Sequence, residues 1–257
     1  MTIARDALVL LERRYRLLAR QPVWIAVMLV QPLVWLLLYS RLFGRLPELA
    51  RTGGGSYLEF LTPGVVVLSA FSHGAWEGTT TVRDIEQGTF ERFLVTPLAR
   101  AAPLIAQLAQ AGLTGAAQGV IVLLAAAAVG VRINAGAVGW VVVLAAAALT
   151  AAIFAGISHA LALLLRREET VIAVGQFTVL PLTFASVTLV TASLMPAWLR
   201  AAAAANPLSW AVDAARAVTL PGTDWTAVGL RVGALTLLAA LTGSAALAAF
   251  GRYRQSL

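Results

Sequence analysis

The chain runs to 257 residues, of which 60% are apolar and 12% charged, and its net charge is +7. The charged share is about half that of a soluble domain, so a single water-soluble core is excluded and the class is integral membrane. All 19 basic residues are Arg and there is no Cys, which removes the P-loop Lys, disulfides, thiolate zinc sites and thiol nucleophiles together.

The N-terminal stretch carries Ala4, Leu8, Leu11, Tyr15 and Leu18 at alternating steps of four and three, with Arg5, Glu12, Arg13, Arg16 and Arg20 on the other side. This spacing predicts an amphipathic helix over 1–22 lying along the membrane surface, Arg side chains near the head groups. The plainer reading is a charged tail that only fixes topology. A continuous apolar stripe favours the helix.

A bilayer core takes about 20 apolar residues as a helix. Six stretches satisfy this: 23–42, 58–79, 104–130, 137–165, 171–194 and 227–250. The first is too long for a signal-peptide h-region and is read as a retained span. The fourth is overlong and is expected to tilt or to start later. Arg132, Asn134 and Gly136 mark a tight connection before it. Runs such as Ala125–Ala128 and Ala145–Ala148 predict close helix packing. The fold class is therefore all-α polytopic, one transmembrane domain over 1–257, with the interfacial helix and a short loop helix added to six spans.

An even number of spans puts both termini on one side. That side holds twelve Arg, in the tail, at Arg83, Arg92 and Arg100, at Arg166 and Arg167, and at Arg252 and Arg254. The other holds seven: Arg41, Arg45, Arg51, Arg132, Arg200, Arg216 and Arg231. The positive-inside bias predicts cytoplasmic termini in a multi-pass plasma membrane protein. The positive charge is thus a topology signal, and no nucleic-acid partner is needed to explain it.

Between the second and third spans, the loop 83–103 is the most informative segment. Gly88 interrupts the long second helix, Thr89 can cap a new one, and Glu91 suits its first turn. Thr96 and Pro97 end it with another cap and a Pro first position. Phe90, Phe93 and Leu94 give an apolar face beside Glu91 and Arg92. Such a helix either docks in a groove of another protein or rests on the membrane without a partner, and the residues alone leave both open.

Gly88-Thr89-Phe90-Glu91-Arg92-Phe93-Leu94-Val95-Thr96-Pro97-Leu98 resembles the loop signature of type-two ABC transporter permeases, close to the daunorubicin-resistance group. Tyr57-Leu58-Glu59-Phe60-Leu61-Thr62-Pro63-Gly64 is similar to that family's approach to its second span. Met195-Pro196-Ala197-Trp198-Leu199 and Asn206-Pro207-Leu208-Ser209-Trp210, continuing to Arg216, resemble its external segment before the last span. The three matches are collinear across nearly the whole chain. Gln107 departs from the basic residue that many relatives carry there. The resemblance implies one membrane half of an ATP-driven exporter, paired with a second permease copy or a paralogue. A separate nucleotide-binding subunit holds ATP and Mg, and this chain has no ATPase site of its own. It also implies that Gly88–Leu94 is the coupling helix that contacts the ATPase, that the N-terminal helix makes a second contact, and that 195–226 forms re-entrant helices on the outer side.

Candidate pathway residues lie in the second and fifth spans. His73 and Glu77 stand four apart on one helical face, and ionisable groups inside spans are functional candidates. Arg83 is expected to satisfy Glu77. Phe71 sits mid-span, and Phe177, Pro181, Phe184, Thr188 and Thr191 form a helical stripe, with Gln176 adding a polar group at its cytoplasmic end. By the resemblance, this stripe faces a small amphipathic drug, lipid or lipid-linked substrate. Ordinary helix packing explains the same spacing. A stand-alone ion- or proton-coupled carrier using His73 and Glu77 is the alternative function. An intramembrane enzyme lacks any matched cluster of acids, His or nucleophiles.

Overall fold

The computed structural model of the chain describes residues 5–12, 22–43, 57–90, 101–131, 135–219 and 222–255. Among the described residues all regular structure is helical. After a helical segment at 5–12 come α1 (Pro22–Phe43), α2 (Tyr57–Trp76), α3 (Gly78–Glu86), α4 (Ala102–Ala128) and α5 (Gly136–Leu165). The remainder is α6 (Glu168–Phe184), a 3-10 turn at Ala192–Leu194, α7 (Ala197–Ala205), α8 (Pro207–Thr219) and α9 (Trp225–Gln255).

Helix α5 is the central post, packed by α9, α2 and α4 and more lightly by α8 and α3. It is apolar all round, as a helix surrounded by others must be. Small residues let its neighbours close in. The Gly74 Cα faces the Ala151 carbonyl so closely that a Cβ has no room, and a Cβ on Gly156 would lie 2.9 Å from the Thr242 carbonyl carbon. In lipid, where apolar side chains gain little by leaving their solvent, this close van der Waals packing holds the helices together.

Four helical rods among the described residues are long and apolar enough to cross a membrane: Tyr57–Glu86, Ala102–Ala128, Gly136–Leu165 and Trp225–Gln255. The outermost, α9, exposes Leu230, Leu237 and Leu241. A predominantly apolar surface of this kind suits hydrocarbon.

One span expectation is corrected and another is refined. The predicted fifth span, 171–194, is a helix of 17 residues that ends at Phe184. Beyond it the chain turns at Ala185 and bends through Val190. The physical reason is a set of side chains on α8 that bind the freed backbone, described below. The second predicted span, 58–79, lies within the rod Tyr57–Glu86, which a turn at Glu77 divides into α2 and α3. There Glu77 N–H donates to the Gly74 carbonyl and the Thr80 N–H to the Glu77 carbonyl.

The N-terminal segment is helical at 5–12, with a different inner face from the one expected. Ala7 and Leu10 are buried against Ala102 and Ala106 of α4, whereas Leu8 is 63% exposed. Small side chains at the start of α4 offer a seat for one edge of the helix. Leu8 and Val9 remain on the outside, where lipid would meet them. The stripe beyond Glu12 lies outside the described residues, as do Arg132 and Asn134.

Candidate functional site

At one end of the bundle α3 leads into the loop. Its last turn closes with Gly88 N–H donating to the Ile85 carbonyl, and Gly88 has φ 65°, a left-handed conformation that Gly adopts without steric cost. Thr89 and Phe90 are already helical, one residue ahead of the expected Thr89 cap. Phe90 points inward and is 1% exposed. Its ring lies 5.2 Å from that of Phe250 and 6.2 Å from that of Tyr253, centroid to centroid, with Leu104 and Leu163 completing the cluster. Arg166, in the left-handed conformation at the end of α5, places its guanidinium 4.9 Å above the Tyr253 ring. Phe90 is therefore an internal anchor. Glu91, Arg92, Phe93 and Leu94 lie outside the described residues.

A buried polar network stands beside this anchor. The Thr81 hydroxyl meets His159 Nδ1 at 2.7 Å and donates to Gln107 Oε1 at 3.2 Å, while Gln107 Nε2 donates to Asp84 at 2.8 Å. Gln107 is fully buried, and its neutral amide serves both neighbours at once. On the surface, Arg83 pairs with Glu168 at 2.6 Å, so it does not serve Glu77 as expected. Glu77 instead lies 3.2 Å from His73, both side chains only 7% exposed.

The candidate pathway residues fall into separate groups. Phe71 is buried between α2 and α5, its ring edge-on to Phe154 at 4.3 Å, while His73 and Glu77 pair with each other along α2. Gln176, Phe177 and Phe184 lie on the outer surface of α6, the two rings 83% and 68% exposed. Thr188 and Thr191 fall beyond the end of the helix, which breaks the expected stripe. Thr188 is buried, and the Thr191 hydroxyl meets that of Ser193 at 3.1 Å. Among the described residues no group of three or more metal-binding acids, His or Cys comes together.

The opposite end contains a socket that sequence reasoning did not assemble. The Asn206 amide donates to the carbonyls of Leu182 at 2.8 Å and Ala185 at 2.7 Å, and its oxygen accepts from Leu208 N–H at 3.0 Å. The Ser209 hydroxyl accepts from Val187 N–H at 3.2 Å. Arg216 donates to the carbonyls of Val187, of Thr188 at 2.6 Å and of Phe60 at 3.1 Å. Its guanidinium also stacks 3.5 Å over the Phe60 ring. Tyr57 adds a longer hydroxyl bond to the Leu189 carbonyl at 3.4 Å. Gly64 completes the fit, since a Cβ there would lie 2.5 Å from the Thr188 carbonyl oxygen.

Each group answers one requirement: irregular backbone inside a membrane protein must find its hydrogen bonds within the protein. Burial lowers the Arg216 guanidinium to about 9, against the pull of Asp213, so it stays charged at neutral pH. Desolvation raises Asp213, which Arg231 opposes from 3.6 Å. Arg216 is thus a buried structural charge rather than a loop charge. An Arg within the apolar run after Asn206-Pro207 was the signal available in the sequence.

The two stretches that resembled a family outside the loop, 57–64 and 206–216, meet in this socket. The family described as ABC-2 type transporter matches residues 5–220. The chain is 28% identical over 216 residues to the putative transport permease ycf38 of Cyanophora paradoxa, covering 82% of this chain and 73% of that protein. It is 28% identical over 195 residues to the daunorubicin resistance ABC transporter permease protein DrrB1 of Streptomyces coeruleorubidus, covering 76% and 68%. Helical rods, socket and family match agree: the chain belongs to the ABC-2 type transporter family, as a membrane permease subunit.

Proposed function

We propose that the chain is one membrane half of an ATP-driven exporter for an amphipathic drug, lipid or lipid-linked compound. The observation that carries this reading is the family match across residues 5–220, in a chain without the Lys that a P-loop requires. Energy then comes from a separate ABC ATPase, which binds ATP and Mg. Two permease copies, or this chain and a paralogue, enclose the pathway in the plasma membrane with their termini in the cytoplasm.

The loop Gly88–Leu94 docks on the ATPase in this reading. Phe90 is spent on the internal anchor, so Glu91, Arg92, Phe93 and Leu94 supply the contact. The exposed Phe177 and Phe184, with Gln176 between turns, offer an amphipathic surface to substrate. The name of the daunorubicin-resistance relative supports substrates of that chemical class. A stand-alone carrier powered through His73 and Glu77 gives way to family membership.

The test is reconstitution in vesicles. The chain alone should hydrolyse no ATP, and adding the ATPase subunit should give ATP-dependent movement of a fluorescent amphipathic drug. Hydrolysis by the isolated chain, or drug movement driven by a proton gradient without ATP, overturns the reading.

A further inference from the structure

Asn206, Ser209 and Arg216 give the break after α6 five hydrogen bonds: two from Asn206, one to Ser209 and two from Arg216. They run from the last turn of α6 at Leu182 to Thr188, so the irregular stretch is held by α8 and by Asn206 immediately before it. Links from the same region to α2 are fewer: Arg216 to the Phe60 carbonyl, its stack on the Phe60 ring, and the 3.4 Å bond from Tyr57 to Leu189. Val187 and Thr188 are buried in this seat, while Ser193 beyond it is exposed.

Breaking the α8 links would leave several backbone groups without partners in an apolar surround. Each such group would be stranded at the full cost of its desolvation. Separation from α2 strands fewer hydrogen-bonding groups: the Arg216 Nε–H, the Phe60 carbonyl and the Tyr57 hydroxyl, beside the close fit of Gly64 on Thr188. The weak plane therefore lies between α2 and the break, and the strong one between the break and α8.

We propose that residues 185–189 and α8 form one locked body, with Arg216 as its main positioning residue. This body slides as a unit against Phe60 and Tyr57 of α2 when the pathway changes state. The slide rests on the exporter reading, whereas the lock is a property of the chain alone.

The chain has no native Cys, so spin labels can be placed cleanly. One labelled pair, Ser193→Cys with Ala217→Cys, spans the break and α8. A second, Leu58→Cys with Ser193→Cys, spans α2 and the break. Labelled chains are diluted with unlabelled chain and assembled with the ATPase, and pulsed-EPR distances are read without nucleotide and with trapped ATP.

The first distance should stay constant while the second shifts. A nucleotide-dependent first distance, or two unchanged distances in a complex that exports, overturns the proposal. In the chain without ATPase, Arg216→Met and Ser209→Ala should broaden the Ser193–Ala217 distribution, and Arg216→Lys should restore part of it. Unbroadened distributions in both variants overturn the lock. Failure of the exporter reading shows separately, as absence of ATP-dependent export by the unlabelled wild type.

Discussion

Phe90 and Phe250 lie 5.2 Å apart, ring to ring, and so tie the first turn of the loop helix to the far end of α9. The contact joins residues 160 positions apart through a fully packed aromatic pair. Phe90→Ala should lower unfolding stability by about 3–5 kcal/mol, the usual cost of emptying a buried aromatic site. A double-mutant cycle with Phe250→Ala should show coupling of about 0.5–1.5 kcal/mol between the rings. Thermal unfolding in detergent measures both. A Phe90→Ala protein that melts like wild type would mean that the ring is not buried there.

Gly74 tests the closeness of α2 and α5. Gly74→Ala places a methyl group on the Ala151 carbonyl and should cost about 1–3 kcal/mol, as overpacking does. Gly229 on α9 has open space around its Cα, so Gly229→Ala should be neutral or should stabilise by up to about 1 kcal/mol. Equal melting temperatures for the two variants would contradict the packing described.

Topology can be read with an impermeant thiol reagent. Ala201→Cys on α7 and Gln87→Cys beside the loop are both at exposed positions. In intact cells the first should be labelled, and the second only after permeabilisation. The reverse pattern would place the termini outside.

Legibility of the sequence varied with the range of the forces involved. Helix existence was readable because hydropathy over twenty residues is a local property, and Pro22–Phe43 and Gly136–Leu165 begin and end within a residue or two of the predicted stretches. The end of α6 at Phe184 was not, because its apolar run continues to Leu194 and the break is stabilised by Asn206, Ser209 and Arg216 from twenty or more positions away. For the same reason Phe90 read as an exposed docking residue. Its burial depends on Phe250, which no local pattern connects to the loop. His73 and Glu77 were placed on one helical face, where they meet, but the partner expected for Glu77 was Arg83, which turned instead to Glu168 at the start of α6.

The loop contact itself is checked by charge reversal. Glu91→Arg should leave membrane insertion intact while weakening the complex with the ATPase by about 2–5 kcal/mol, the range for losing one member of a desolvated charge pair across a contact. Co-purification and export should fall together. Normal export by this variant and by Phe93→Ala would remove the docking role from the loop.

The early end of α6 also bears on the surrounding lipid. Seventeen helical residues rise about 25 Å, less than a hydrocarbon core of about 30 Å. On that flank the protein presents a shortened greasy belt, followed by the hydroxyls of Thr191 and Ser193. Bilayers adapt to a short belt by thinning locally, at fractions of a kcal/mol per Å. Head groups should therefore dip towards Phe184, giving a molecule with a polar end and an apolar body a shallower place to leave or enter the leaflet beside this helix.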